Sequence, residues 1–183
     1  MTKVFVVDAC VGRAAGGPDA TFPTSKHSRD FLLLLQEARH RVAFDPATHA
    51  EWKAHRSRFA YTWLTAMHAR RLVILADQET SDAVRAPLAV TKGLADHHRA
   101  AIEKDANIVG TALAHDKLLA SIDRRLLDAL LLACQSLACV QGLLWIDVTR
   151  YCGELGAWIR KGAPKTKLPV VAEPAEAPVT AVR

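Results

Sequence analysis

Short apolar runs rich in β-branched residues recur along this chain, and each is followed by a longer stretch with helical spacing. No other feature restricts the fold so strongly. The runs fall at residues 3–9, 41–44, 72–75 and 118–122, and residues 138–146 read as a further strand. Between the first two runs lies a loop containing Gly12, Gly16, Gly17, Pro18 and Pro23, then a helix from about Ser25 with apolar residues at 31–35. A helical stretch over 48–71 carries Trp52, Phe59, Trp63, Leu64 and Met67 at recurring helical positions, with Trp52 and Trp63 reading as core. Further helices are expected near 81–98, 104–115, 124–137 and 151–160. Strands joined through helices need crossover connections, which return the chain parallel to the strand it left. The expected fold class is therefore α/β, a mostly parallel sheet of four or five strands with helices on both faces.

The 183 residues suit one domain, over about residues 1–161. From 162 to 183 the composition changes to a Pro- and Ala-rich tail, with Pro164, Pro169, Pro174 and Pro178, which can bury little and is expected to be disordered. No apolar run approaches the roughly 18 residues of a membrane-spanning helix, and the N-terminal residues lack a signal-peptide pattern. A cytoplasmic protein without a membrane partner is expected, with Cys10, Cys134, Cys139 and Cys152 as reduced thiols. Twenty-four Lys and Arg against 19 Asp and Glu leave a net charge of +5, which is compatible with a polyanionic partner. Gly12 and the Gly16-Gly17 pair have the wrong spacing for a dinucleotide fingerprint or a P-loop, which argues against dehydrogenases and P-loop enzymes.

Acidic residues occupy the positions where an open parallel sheet puts its ligand site, beyond the carboxyl ends of the strands. Asp8 ends the first strand, Asp123 follows the fourth, Asp105 opens the helix that leads into it, and Glu51 lies on the helix after the second. If the strands are adjacent, these four carboxylates converge, and their mutual repulsion calls for a hard cation, Mg²⁺ or Mn²⁺. Local roles compete with this reading. Thr48-His49-Ala50-Glu51 has the form of a capping box, Asp123 stands where it would cap the helix at Arg124, and Asp105 would offset the positive end of its own helix. Glu37 is the rival of Glu51, but it closes a helix before the second strand, away from the carboxyl edge.

These residues resemble the PIN-domain family of metal-dependent nucleases, which includes toxins of bacterial toxin–antitoxin pairs. Val4-Phe5-Val6-Val7-Asp8 is similar to its opening strand and first acid, and Thr48-His49-Ala50-Glu51-Trp52 places a Glu where the second stands. The segment from Asp105-Ala106-Asn107 to His115 resembles the helix that begins with the third acid, and Leu118–Ser121 with Ile122 and Asp123 the strand ending in Ser-x-Asp. The resemblance spans about residues 3–160 and implies a three-layer sandwich. It implies a ribonuclease that hydrolyses RNA phosphodiesters to leave a 5′-phosphate, with Asp8, Glu51, Asp105 and Asp123 as catalytic metal ligands for Mg²⁺ or Mn²⁺. Ser121 would support them. An antitoxin protein and a second copy of the chain are the protein partners such a toxin would have; the alternative is a non-catalytic PIN-like scaffold in RNA processing. The family often has Thr or Ser, then Asn or Ser, after its first acid, whereas Ala9 and Cys10 stand here, so a hydroxyl beside the metal is missing at that place. Arg13, Arg124 and Arg125 border the expected pocket and are candidates for holding RNA phosphates, with a solvated surface as their plain reading. His55, His97, His98 and Asp128 have ordinary surface roles as their simplest account.

Overall fold

Side chains at 5 and 7 must face one way from an extended strand and that at 6 the other. In the computed structural model, which describes residues 2–76, 78–150 and 153–164, both faces of that strand are buried. Strand β1 (Val4–Val7) is central in a five-stranded sheet with β2 (Arg41–Phe44), β3 (Val73–Leu75), β4 (Leu118–Ser121) and β5 (Leu144–Asp147). The order is β3-β2-β1-β4-β5 and every pairing is parallel. The fold is α/β, and burial on both faces is why the strands read as unbroken apolar runs.

Helices α1 (Ala9–Ala14), α2 (Pro23–Glu37), α3 (Pro46–His55), α4 (Arg58–Ala69) and α9 (Gly153–Arg160) contribute to one core with Phe5, Val7, Val42, Phe44, Leu118 and Ile146. On the other face, α5 (Asp82–Val90), α6 (Asp96–Lys104), α7 (Ala106–Leu113) and α8 (Arg124–Ala133) pack on Val6, Ala43, Leu119 and Trp145. The result is a three-layer sandwich. From β1 the chain steps outward to β2 and β3, then returns to place β4 on the other side of β1. Connections diverging in this way leave a crevice beyond the carboxyl ends of β1 and β4.

Several elements differ from the sequence reading. Residue 9, expected in the first strand, and residues 10–14, expected as loop, form α1, because the Asp8 carboxylate accepts the Cys10 N–H and caps the turn. The stretch 48–71 is two helices. Arg56 is extended, and the Ser57 hydroxyl caps α4 by accepting from Ala60 N–H while donating to the Ala15 carbonyl. The stretch 81–98 is broken after Val90, where Gly93 takes a left-handed turn at φ 80°. The helix expected near 104–115 is α7, separated from α6 by Asp105 itself at φ −103°, ψ 18°. Residues 124–137 are helical only to Ala133, and the strand expected at 138–146 opens as a short 3₁₀ turn at Ala138–Val140 before β5. The expected disordered tail lies outside the described residues beyond Pro164, as do the first two residues of the helix expected at 151–160. Among the described residues no helix is long and apolar enough to cross a membrane.

Candidate functional site

Beyond the ends of β1 and β4, Asp8, Glu51, Asp105 and Asp123 line one cavity of about 110 Å³, together with Cys10, Arg13, His55 and Lys104. Each acid arrives on a different element. Asp8 is the first residue past β1, and its backbone N–H still follows the sheet, donating to the Ala120 carbonyl of β4 at 2.9 Å. Its carboxylate is held at both oxygens: Oδ1 accepts from Cys10 N–H at 3.0 Å and Oδ2 from the Ser121 hydroxyl at 2.6 Å. Ser121 is fully buried at the end of β4, and its oxygen accepts in turn from the Asp123 N–H at 3.0 Å. One hydroxyl thus links the first acid to the backbone of the last. Asp123 caps α8, its Oδ1 accepting from Arg125 and Leu126 N–H at 2.8 and 3.2 Å. The cap role and the cavity role coexist, because the two bonds engage a single oxygen.

Glu51 is exposed on α3 and takes no part in a capping box. The cap of α3 is Asp45, whose side chain accepts from Thr48 N–H while the Thr48 hydroxyl accepts from Asp45 N–H. The box therefore begins three residues earlier than Thr48-His49-Ala50-Glu51 suggested, and the Glu51 side chain is released to the cavity. Its position follows from helix packing: Gly12 of α1 lies against the Trp52 indole, where a Cβ would come within 2.8 Å of the ring. Trp52 Nε1 donates to the Val7 carbonyl at 2.6 Å, fastening α3 beside the end of β1. Glu37 is far from this arrangement, paired with Arg160 at 3.3 Å.

Asp105, like Asp8 and Asp123, is half-buried. Burial pushes its carboxyl up to about 6, the charges of Asp8, Asp123 and Glu51 push the same way, and Lys104, 3.7 Å away, opposes them. The four carboxylates thus repel one another across the cavity. The Cys10 Sγ lies 3.4 Å from Ser121 Oγ; burial first and Asp8 second raise the thiol, so it stays protonated at neutral pH.

Two adjacent arginines of α8 part company. Arg125 lines a second, larger groove with His97, His98, Lys104 and Asp128, whereas Arg124 turns to Asp147 at 3.3 Å. Arg13 lines the carboxylate cavity itself, as do His55 and Lys104, the last of which the sequence analysis did not single out. Two further acids were missed. Asp147, buried at the end of β5, accepts from Thr149 and pairs with Arg124 and Arg150. Asp45, buried at the end of β2, accepts at Oδ2 from Asn107 Nδ2 at 2.8 Å and from Thr80, tying the start of α3 to the start of α7. Burial works against its charge, but these bonds and that from Thr48 outweigh it and hold the carboxyl below its ordinary value. The available signal was an acid directly after each of these apolar runs in the sequence, the same signal that picked out Asp8.

Carboxylate oxygens are hard donors that suit Mg²⁺ or Mn²⁺, and the repulsion felt by Asp105 is what such a cation would relieve. The donor set fits. Among the described residues, however, no three His, Cys, Asp or Glu side chains stand in an ion-holding arrangement, so ligation would draw the carboxylates inward. No family model, curated protein or solved structure matches this chain.

Proposed function

We propose that this protein is a divalent-cation-dependent ribonuclease of the PIN-domain kind. The observation that carries the reading is the meeting of Asp8, Glu51, Asp105 and Asp123 in one cavity at the crevice of a parallel sheet. These four would hold Mg²⁺ or Mn²⁺, which when bound makes water more acidic and stabilises charge developing on a phosphate. The chain's own residues do the rest. Ser121 and the Cys10 N–H keep the Asp8 carboxylate fixed in place, so little reorganisation is needed at that ligand. Arg13, His55 and Lys104 offer N–H donors around the same cavity, where a backbone phosphate would otherwise meet only negative charge. No side chain needs to act as nucleophile.

The test is cleavage of single-stranded RNA with Mn²⁺ or Mg²⁺, against the same reaction in EDTA. Asp8→Asn and Asp123→Asn keep the oxygens that cap α1 and α8 but remove the charge. Each is expected to lower the rate roughly a thousandfold without unfolding the protein. Cation-dependent cleavage surviving in either variant overturns the assignment. A second reading, a non-catalytic RNA-binding module, draws on the ion pair between Lys104 and Asp105, which neutralises one acid from within. It requires RNA binding without cleavage in the same assay. A role as the toxin of a toxin–antitoxin pair would follow from growth arrest on expression, relieved by a neighbouring small protein.

A further inference from the structure

The groove beside the carboxylate cavity is lined by α6 and α8, has a volume of about 580 Å³, and shares Lys104, Asp105 and Asp123 with the cavity. We propose that it is a base-binding subsite that takes one unpaired nucleotide next to the phosphate at the carboxylates, making the substrate single-stranded there. This inference rests on the nuclease reading and names its substrate class.

Size comes first. The carboxylate cavity, at about 110 Å³, has room for ions, water and a phosphate edge, whereas the groove falls within the roughly 300–1,000 Å³ of small-ligand sites. A nucleoside attached to a phosphate in the cavity has this groove as its adjoining space. Charge comes second. Lys104 and Arg125 are met by Asp105, Asp123 and Asp128, so the lining is not basic and cannot hold a polyanion by charge alone. Recognition has to come from the base.

The lining carries that chemistry. His97 and His98 present two imidazole rings with centroids 3.8 Å apart and planes at 47°, and both side chains are solvent-accessible. Unstacked bases settle on flat aromatic faces of this kind, histidine included. Asp128 supplies an acceptor for an exocyclic amino group, which adenine and cytosine carry at their pairing edge and uracil lacks. A base in a duplex is stacked and has that edge occupied, so it cannot enter between two helices. Arg124 does not compete for the nucleotide, because it is turned to Asp147.

The experiment uses the full chain with Asp8→Asn, which silences cleavage, and measures binding of short fluorescent RNAs by anisotropy in Mn²⁺. Single strands rich in A or C are expected to bind at least about fivefold tighter than U-rich strands or a duplex. The double substitution His97→Ala with His98→Ala is expected to weaken single-strand binding about tenfold or more. Asp128→Ala, which removes the acceptor, is expected to shrink the preference for amino-bearing bases while leaving U-rich strands unaffected. With Asp8 intact, the His double variant should raise KM and leave kcat within about twofold. Duplex binding as tight as single-strand binding, or unchanged single-strand affinity in a folded His double variant, overturns the subsite. If the parent protein cleaves RNA while the His variant shows unchanged binding and KM, the groove assignment fails and the nuclease reading stands. If no cation supports cleavage but single-strand binding depends on His97 and His98, the nuclease reading fails and the groove assignment stands.

Discussion

Asp105 bears the electrostatic strain of the cavity. Its carboxyl is raised from an ordinary 3.8 to about 6 by burial and by three neighbouring acids, with Lys104 only partly compensating. The folded protein therefore holds this proton more tightly than the unfolded chain does. Its contribution to stability is fully present below about pH 4 and is lost as the pH rises through about 6, amounting to about 2 kcal/mol once solvent screening of this partly exposed group is allowed for. Asp105→Asn removes the charge, so urea denaturation should show the variant more stable at pH 7 and with a flatter pH dependence between about 4 and 6. An unchanged pH profile would mean that neither burial nor the other carboxylates raise the Asp105 carboxyl in the folded protein. Asp8 contrasts with it in being held by two hydrogen bonds. The Ser121–Asp8 bond was open to sequence reading only as a pattern, Ser-x-Asp, because nothing local says which strand will lie beside β4.

Glu51 reaches the cavity because α3 stops where it does. Arg56 is extended and Ser57 N–H donates to the Gly12 carbonyl at 3.1 Å, so the break between α3 and α4 is bonded directly to α1. The Ser57 hydroxyl adds two bonds, to Ala60 N–H and to the Ala15 carbonyl. Ser57→Ala should destabilise the protein by about 1–2 kcal/mol in chemical denaturation, combining a lost cap with a half-buried carbonyl left short of a donor. Loss of less than about 0.3 kcal/mol would show that the break is maintained by packing alone. A Ser followed by a helical pattern is a legible start signal, but the apolar spacing across 48–71 runs past Ser57 without a break. The same element-level ambiguity joined α5 to the first residues of α6, across the turn at Gly93.

At the scale of the whole molecule, a cation bound by acids from β1, α3, α7 and α8 would join four separate stretches of chain and stabilise the native state alone. At about a hundredfold excess over its Kd, Mn²⁺ should raise the Tm by roughly 5–10 °C, and it should do so far less in Asp8→Asn or Asp123→Asn. Equal shifts in all three proteins would locate the ion elsewhere. The joining is topological. Because the order is β3-β2-β1-β4-β5, strands far apart in sequence become neighbours, with Val7 of β1 opposite Ala120 of β4.

The sequence by itself determined the fold class and the approximate place of the first four strands. Strand β2 stands at the bounds read from it, and β1 and β4 within two residues, because an unbroken apolar run and the residues that end it act over a few positions. That Asp8 follows one strand closely and Asp123 another was equally local. Only the tertiary structure decided that these acids share a cavity with Glu51 and Asp105, that Asp45 rather than Thr48 caps α3, and that Arg124 and Arg125 face different partners. Each depends on which elements become neighbours. That is set by burying both faces of the sheet at once, a condition on the whole chain that no short window of residues contains.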